Sequence, residues 1–432
     1  MTQLEAARGG RVTARMREAA RHEGVDPEVI RAGVAAGRVV VLGDPERGRR
    51  PRAVGAGLTT KVSASVGTGA HTPDLAGELE KVRLAVEAGT DAIMDLSDAG
   101  DIDATRLAIL GASPVPVGTL PFYQAAAQAA RTRGSHREAT PAQMFATLER
   151  QAADGVDFVA LHAALSREVL AVQEAAGRLV PEVSYGGSRL AEWMRHHDAE
   201  NPYHAEFDRV LEIARRHDLV LALADACRPG CLADSLDRAQ VQELVVMGEL
   251  AERSRRAGVQ VLLKGPGHVP LHHLRATVQL AKKLSGAAPY FVFGPLATDV
   301  AAGYDHIAAA IGGAVAAAAG AEFLCYVTPV EHLGLPDAAA VRLGVVAARI
   351  AAHAADVAKD VSGARDWDRR MSEARKRLDW EEQLRLAIDP EQARRVRLRH
   401  NPKGAEACSM CGSYCAMKVV GEYLGAPEDP IC

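Results

Sequence analysis

The sequence predicts an α/β fold: a (β/α)8 barrel with a small N-terminal cap region and a helical C-terminal domain bearing a Cys-rich cluster tail. Three observations predict it. From residue 59, short apolar runs alternate with helical stretches at the spacing of β/α units. The ends of these runs are polar and Gly-rich, as they must be where barrel strands deliver chemistry to one rim. From residue 343 the rhythm gives way to Ala-rich and then strongly charged helix, and three cysteines follow between Cys408 and Cys415.

The expected division is therefore 1–58, 59–342 and 343–432. In the first region, Leu4 to Glu23 reads as one amphipathic helix, Asp26-Pro27 starts another, and Arg38–Leu42 reads as a strand before a polar loop, Gly43 to Pro51. The second region offers nine candidate strands: Lys61–Val66, Ala92–Leu96, Val115–Leu120, Phe158–Leu161, Glu182–Tyr185, Leu219–Ala224, Val259–Leu263, Tyr290–Phe293 and Phe323–Val327. A barrel has eight places, so one of these lies outside it. An open doubly wound sheet is the rival, but the first strand is not followed by a Gly-x-Gly-x-x-Gly phosphate loop. In the third region, Val345–Val361, Asp366–Ala387 and Pro390–Arg397 read as helices, and Asn401-Pro402-Lys403-Gly404 breaks the pattern before the cysteines.

Composition narrows the function classes. With 432 residues the chain can bury a large core. Fifty-one basic and 55 acidic residues give a net charge of −4 without a basic tract, which argues against nucleic acid or an anionic membrane as partner. Seven cysteines form no disulfide framework, and the N-terminus has no apolar signal core, so a reducing cytoplasm is expected. The apolar run Ala308–Ala321 is too short to span a bilayer.

Cys408, Cys411 and Cys415 are spaced so that three thiolates reach one inorganic centre. Mononuclear zinc generally takes four ligands, and a second close Cys/His pair is missing. Three cysteines suit a 4Fe–4S cluster with one open iron, at which S-adenosylmethionine could bind. A zinc knot completed by a distant histidine, or three ordinary thiols, are the alternatives.

The strand ends supply a second set of groups. His268 and His332 each closely follow a strand, and two imidazoles can hold a divalent metal such as zinc. Ser184, Gly186 and Gly187 can present hydroxyl and backbone N–H donors to a phosphate, with Arg228 for charge. Asp225 either orients a polar substrate or caps a helix. A zinc-dependent barrel hydrolase using the two histidines is a different class of answer, and a non-catalytic binding protein a third.

Several longer motifs stand together: Met94-Asp95-Leu96-Ser97, Asp225-Ala226-Cys227-Arg228-Pro229-Gly230, Gly265-Pro266-Gly267-His268, Gly303-Tyr304-Asp305-His306, Leu324-Cys325-Tyr326-Val327-Thr328-Pro329, Ala364-Arg365-Asp366-Trp367-Asp368 and Cys408-Ser409-Met410-Cys411. In these the chain resembles the phosphomethylpyrimidine synthase (ThiC) family of noncanonical radical S-adenosylmethionine enzymes. The resemblance implies a barrel acting on 5-aminoimidazole ribotide. It also implies an electron donor and a homodimer in which the cluster domain of one subunit completes the site of the other. It makes Cys408, Cys411 and Cys415 cluster ligands, and His268 and His332 ligands of a second metal. Met94, Tyr123, His162, Ser184, Gly186, Asp225 and Arg228 become substrate contacts.

Four wall positions depart from that pattern. Ser65 stands for an Asn, Tyr185 for an Arg, Lys264 for a Glu, and Phe291 for a Tyr. A Glu accepts hydrogen bonds from ring amines, whereas a Lys only donates and reverses the charge. The last cysteine interval, three residues, is also one shorter than in longer family members. The family's 5-hydroxybenzimidazole synthase branch converts the same ribotide to a cobamide lower ligand. The four departures favour that branch, with the thiamine pyrimidine enzyme as the alternative.

Overall fold

A computed structural model describes residues 1–69, 74–401 and 407–423. Among the described residues ten strands are present: β1 (Val39–Leu42), β2 (Arg52–Gly55), β3 (Lys61–Val66), β4 (Ala92–Asp95), β5 (Val117–Thr119), β6 (Phe158–Leu161), β7 (Val220–Ala224), β8 (Val261–Gly265), β9 (Tyr290–Phe293) and β10 (Phe323–Cys325). β1 and β2 pair antiparallel. The other eight form a closed parallel barrel in the order β10-β3-β4-β5-β6-β7-β8-β9. Phe323 opposite Lys61 closes it. The expected (β/α)8 barrel is therefore the fold.

Eight of the nine candidate strands are barrel strands. The ninth, Glu182–Tyr185, is not a strand: Ser184 caps a helix, Tyr185–His197, by accepting from the Gly187 N–H. Its β-prone side chains lose to the cap and the two glycines that follow it.

The barrel interior is filled by aromatic rings. Phe291 stacks on Phe323 with centroids 4.1 Å apart, and Phe158 lies 6.5 Å from Phe323. Gly118 on β5 makes room, since a Cβ there would fall 2.3 Å from the Phe158 ring.

The N-terminal end of the barrel is closed by carboxylates placed just before strands. Asp91, Asp157 and Glu322 accept from the backbone N–H of Val62, Val117 and Tyr290 on the neighbouring strands at 2.8–2.9 Å. Each also meets a cation, Arg52, Arg49 and Lys282 respectively. The cap region covers this end, with Thr2 Oγ1 donating to Gly258 O at 2.6 Å and the Val41 N–H to Gln260 Oε1 at 2.8 Å. Its own small core gathers Leu4, Met16, Ile30, Val39 and Val41. The single helix expected over Leu4–Glu23 is two, Gln3–Arg8 and Ala14–Glu23, because Gly10 adopts a left-handed conformation and Thr13 starts the second with a side-chain cap.

The chain divides into compact units Met1–Lys359 and Asp360–Cys432. The boundary expected at 343 falls inside the helix Ala338–Ala358. That helix is the eighth of the barrel: it packs between the seventh, Asp305–Ala318, and the first, Leu75–Glu87. It is long and apolar enough to cross a membrane by length and composition, but its apolar face is what seats it on β10 and β3. The second unit carries the helices Ala364–Lys376, Trp380–Leu386 and Pro390–His400, then the cysteine motif. Pro402, Lys403, Gly404 and Cys432 lie outside the described residues.

Candidate active site

The strand ends converge on one rim around a cavity of about 970 Å3. Ser65, Tyr123 and Tyr185 are in its wall, with Asp98, Arg189 and Phe293. Ser65, on β3, places its hydroxyl 3.7 Å from the Cys325 sulfur, while its carbonyl accepts from the Tyr326 hydroxyl at 2.7 Å. Tyr123, in the first turn after β5, meets Tyr185 edge-on at 5.0 Å. Burial pushes the Tyr123 phenol up to about 12, so it is a hydrogen-bonding group and not an anion. The Tyr185 hydroxyl donates to Asp98, and the Arg189 guanidinium lies 3.8 Å above the Tyr185 ring.

Beside the cavity is a buried polar cluster. His162 directly follows β6; its Nδ1 faces the Ala224 carbonyl at 3.1 Å and its Nε2 the Ser184 hydroxyl at 3.4 Å. A carbonyl only accepts, so Nδ1 carries the proton and Nε2 is the acceptor. Burial, with Arg228 and Lys264 nearby, pulls this imidazole down to about 3, so it stays neutral. The Ser184 oxygen accepts from Arg228 Nη1 at 3.1 Å and from the Gly187 N–H at 3.2 Å. Gly186 fits only as glycine: a Cβ would sit 2.8 Å from Tyr123 and 2.9 Å from His162. Asp225 follows β7 and lies 3.9 Å from Arg228, and its Oδ1 has no hydrogen-bond partner among the described residues. Burial raises its carboxyl to about 6, against the pull of Arg228 and Lys264. The loop that carries Asp225 and Arg228 is pinned by Glu243, whose two oxygens accept from the N–H groups of Ala226 and Cys227 at 2.8 and 2.7 Å.

The Lys264 ammonium faces two rings, Phe291 at 5.2 Å and Phe293 at 5.1 Å. Burial lowers its pKa. Phe291 itself is fully buried, as is Met94 on β4; neither belongs to the cavity wall.

His268 and His332 are brought together, with ring centroids 5.4 Å apart. The Nδ1 of His268 is 2.9 Å from Asp299, and that of His332 is 3.3 Å from Asp305. Carboxylates behind both Nδ1 atoms leave both Nε2 atoms without a carboxylate partner, an arrangement that metal-binding histidines share. A third His, Cys, Asp or Glu close enough to complete a metal group with them is not found among the described residues.

In the second unit, Cys408 is half-buried, Cys411 exposed and Cys415 buried. The backbone N–H groups of Cys411 and Met410 hold the Cys408 thiol below its ordinary range, with Arg397 adding to the effect. This favours the thiolate a metal needs, although the three sulfurs are not gathered as a metal group here.

Asp98, Arg189, Phe293, Glu243 and Asp299 are the groups sequence reading missed. Arg189 had one signal, its i+4 spacing from Tyr185 on a helix; the others meet their partners only through the fold.

A family model described as the radical SAM ThiC family matches residues 2–422. A phosphomethylpyrimidine synthase of Moorella thermoacetica is 54% identical over 99% of this chain and 100% of its own length. A 5-hydroxybenzimidazole synthase BzaA of the same organism is 56% identical over 98% and 99%. BzaA of Eubacterium limosum is 52% identical over 99% and 100%. Among solved structures, a dihydropteroate synthetase covers 72% of this chain and 97% of its own at 13% identity and a TM-score of 0.42.

Proposed function

The chain belongs to the radical SAM ThiC family, and from that premise we propose that it converts 5-aminoimidazole ribotide to 5-hydroxybenzimidazole, the lower ligand of a cobamide. The observation that carries the choice of product is Lys264, a cation over two aromatic faces where the family pattern has a carboxylate. Ring amines of the substrate meet a donor there and not an acceptor. Tyr185, in the place of an Arg, spends its hydroxyl on Asp98, and Arg189 keeps a guanidinium in the same wall. Conversion to the thiamine pyrimidine phosphate is the second reading, favoured by the 54% identity to a phosphomethylpyrimidine synthase.

The geometry supports the following roles. Ser184, the Gly186–Gly187 backbone and Arg228 bind the ribotide phosphate at the start of the Tyr185–His197 helix. Asp225, with an unpartnered oxygen, accepts from a substrate hydroxyl or amine. Neutral His162 fixes Ser184 and, with Tyr123 and Ser65, shapes a site that excludes water and stray hydrogen donors, while the buried Met94 and Phe291 back it from the barrel interior. The donor types suit the groups the family implies: Cys408, Cys411 and Cys415 would hold a 4Fe–4S cluster, and His268 and His332 a divalent metal, zinc by ligand type. When bound, the cluster and S-adenosylmethionine supply the one-electron cleavage that yields a hydrogen-atom abstractor. The family further supports a homodimer with exchanged cluster domains, served by an electron donor in a reducing cytoplasm. Under this reading the chain works in three parts, cap, barrel and cluster domain.

Anaerobically purified protein should contain iron with acid-labile sulfide and cleave S-adenosylmethionine; zinc without sulfide contradicts the cluster. If the wall sets the product, Lys264→Glu combined with Tyr185→Arg shifts the products toward the pyrimidine. An unchanged product distribution removes the wall from the account.

A further inference from the structure

Among the described residues, five carboxylates line the cavity: Glu78, Asp98, Asp101, Asp103 and Glu331. Three are taken up by neighbouring side chains. Glu78 accepts from Lys81 Nζ at 2.6 Å and from the Gly67 N–H at 2.7 Å. Asp98 holds the Tyr185 hydroxyl, and Asp103 accepts from Arg106 and Gln124 at 2.5 and 2.8 Å. Asp101 is a solvent-exposed helix cap, accepting from the Ala104 N–H at 3.1 Å. Glu331 differs. It stands in the turn after β10, partly buried, and its carboxylate makes no ion pair among the described residues; the donor bearing on it is the Thr328 N–H of its own turn. His332 beside it turns to Asp305, and Glu331 is not gathered with the two histidines as a metal group among the described residues.

Lys264 is the cationic counterpart. Its Nζ lies 5.1 Å above Phe293, which shares the cavity wall with Glu331. The two charges act on each other, and Cys325 and Tyr326 feel that of Glu331 as well. Yet Lys264 and Glu331 close no ion pair with each other. Opposite charges withdrawn from bulk water and left unpaired are costly, and a binding site keeps such groups for the ligand that pairs them.

From this we propose that Glu331 and Lys264 read the base of the ribotide as an acceptor and a donor: Glu331 accepts from the exocyclic amine, and Lys264 donates to the unprotonated ring nitrogen. The substrate reading above is the premise, and Glu331 is the residue added to it. An aminoimidazole presents one such donor and one such acceptor on the part of the ring away from its glycosidic bond. A lysine at 264 gives the amine nothing to donate to; the turn after β10 supplies the missing carboxylate. Asp225, 3.9 Å from Arg228 at the phosphate end, is then left for the sugar hydroxyls.

Equilibrium binding by calorimetry, on the full chain without S-adenosylmethionine or reductant, tests this with two probes. One is 5-aminoimidazole ribotide; the other is the imidazole ribotide that lacks the amine. Wild type is expected to bind the aminated probe about tenfold or more tightly than the other. Glu331→Leu should weaken the aminated probe by about 10- to 100-fold, the loss of a hydrogen bond to a charged group, and leave the other within about twofold. Glu331→Ala gives the same reading if the Leu variant misfolds. Glu331→Gln keeps an acceptor oxygen and should retain part of the preference. A preference that survives Glu331→Leu overturns the role of Glu331. So does an equal loss for both probes, which would make the carboxylate a support for its turn. Either result leaves the substrate reading standing, whereas a wild type that binds neither ribotide overturns that reading and the inference with it.

Discussion

The two ends of this barrel treat buried charge in opposite ways. At the N-terminal end every carboxylate just described is spent. Asp91, Asp157 and Glu322 each hold a strand N–H and a cation, and Glu23 meets Lys61 at 2.9 Å with both side chains almost fully buried. At the C-terminal rim charge is left unspent. Asp225 keeps an oxygen without a hydrogen-bond partner among the described residues, and the Lys264 ammonium faces two aromatic rings. Groups satisfied within the fold stabilise it; groups held ready for a ligand weaken it until the ligand arrives. The closed end is read as stability and the open end as function, as expected of barrel enzymes.

That contrast can be broken or sharpened by substitution. The largest effect is expected off the barrel: Cys408→Ala should abolish product formation and leave the barrel's melting transition in place, because the cysteines belong to a separate compact unit. Normal turnover by that variant in an anaerobic assay would end the cluster account.

Next comes the closed end. Lys61→Met leaves Glu23 buried without its lysine partner, with only His22 and Thr59 facing it, at a cost of about 3–5 kcal/mol in denaturant unfolding. Burial opposes ionisation of Glu23, but His22 and Lys61 bring its pKa down to about 2. A depressed carboxylate contributes stability above its unfolded pKa and loses it as pH falls through about 2, so the wild-type advantage over Lys61→Met should shrink in acid. Ribotide affinity of the folded variant should not change.

At the open end the signs reverse. Arg228→Ala should lower kcat/KM by about 10- to 100-fold, the loss of a charge-assisted contact, without lowering the melting temperature by a comparable amount. Asp225, raised by burial to about 6, binds its proton more tightly folded than unfolded. Its contribution to stability is full in acid and is lost as pH rises through about 6. Asp225→Asn should therefore raise stability at pH 8, by about 2–3 kcal/mol at most, while impairing turnover.

The smallest effect is the pH profile. kcat/KM should be level above pH about 6 and fall tenfold per unit below it, a limb absent in Asp225→Asn. His162, neutral down to about 3, should add no limb of its own.

Much of this was legible in the sequence. The β/α rhythm located all eight barrel strands, and the strand-end motifs named the groups around the rim, because strand termini carry chemistry in a barrel wherever they fall in the chain. His268 and His332, 64 residues apart, were paired on that logic and do meet. The failures have local causes. Glu182–Tyr185 looks like a strand until Ser184 acts as a cap. The helix from Ala338 was assigned to the C-terminal domain because a composition change at 343 cannot reveal that β10 and β3 still need covering. Met94 and Phe291 sit in the buried interior and not in the cavity wall, since alternate residues of a barrel strand face different layers. Asp98, Asp299 and Glu243 were invisible because each acts through a partner distant in sequence.

The most direct test is product identification. The protein, reconstituted anaerobically with iron and sulfide, is given 5-aminoimidazole ribotide, S-adenosylmethionine and a strong reductant, and the products are resolved by mass spectrometry. The account predicts 5-hydroxybenzimidazole. A phosphorylated aminopyrimidine as the sole product would contradict it and make Ser65, Tyr185, Lys264 and Phe291 tolerated variation in a thiamine enzyme.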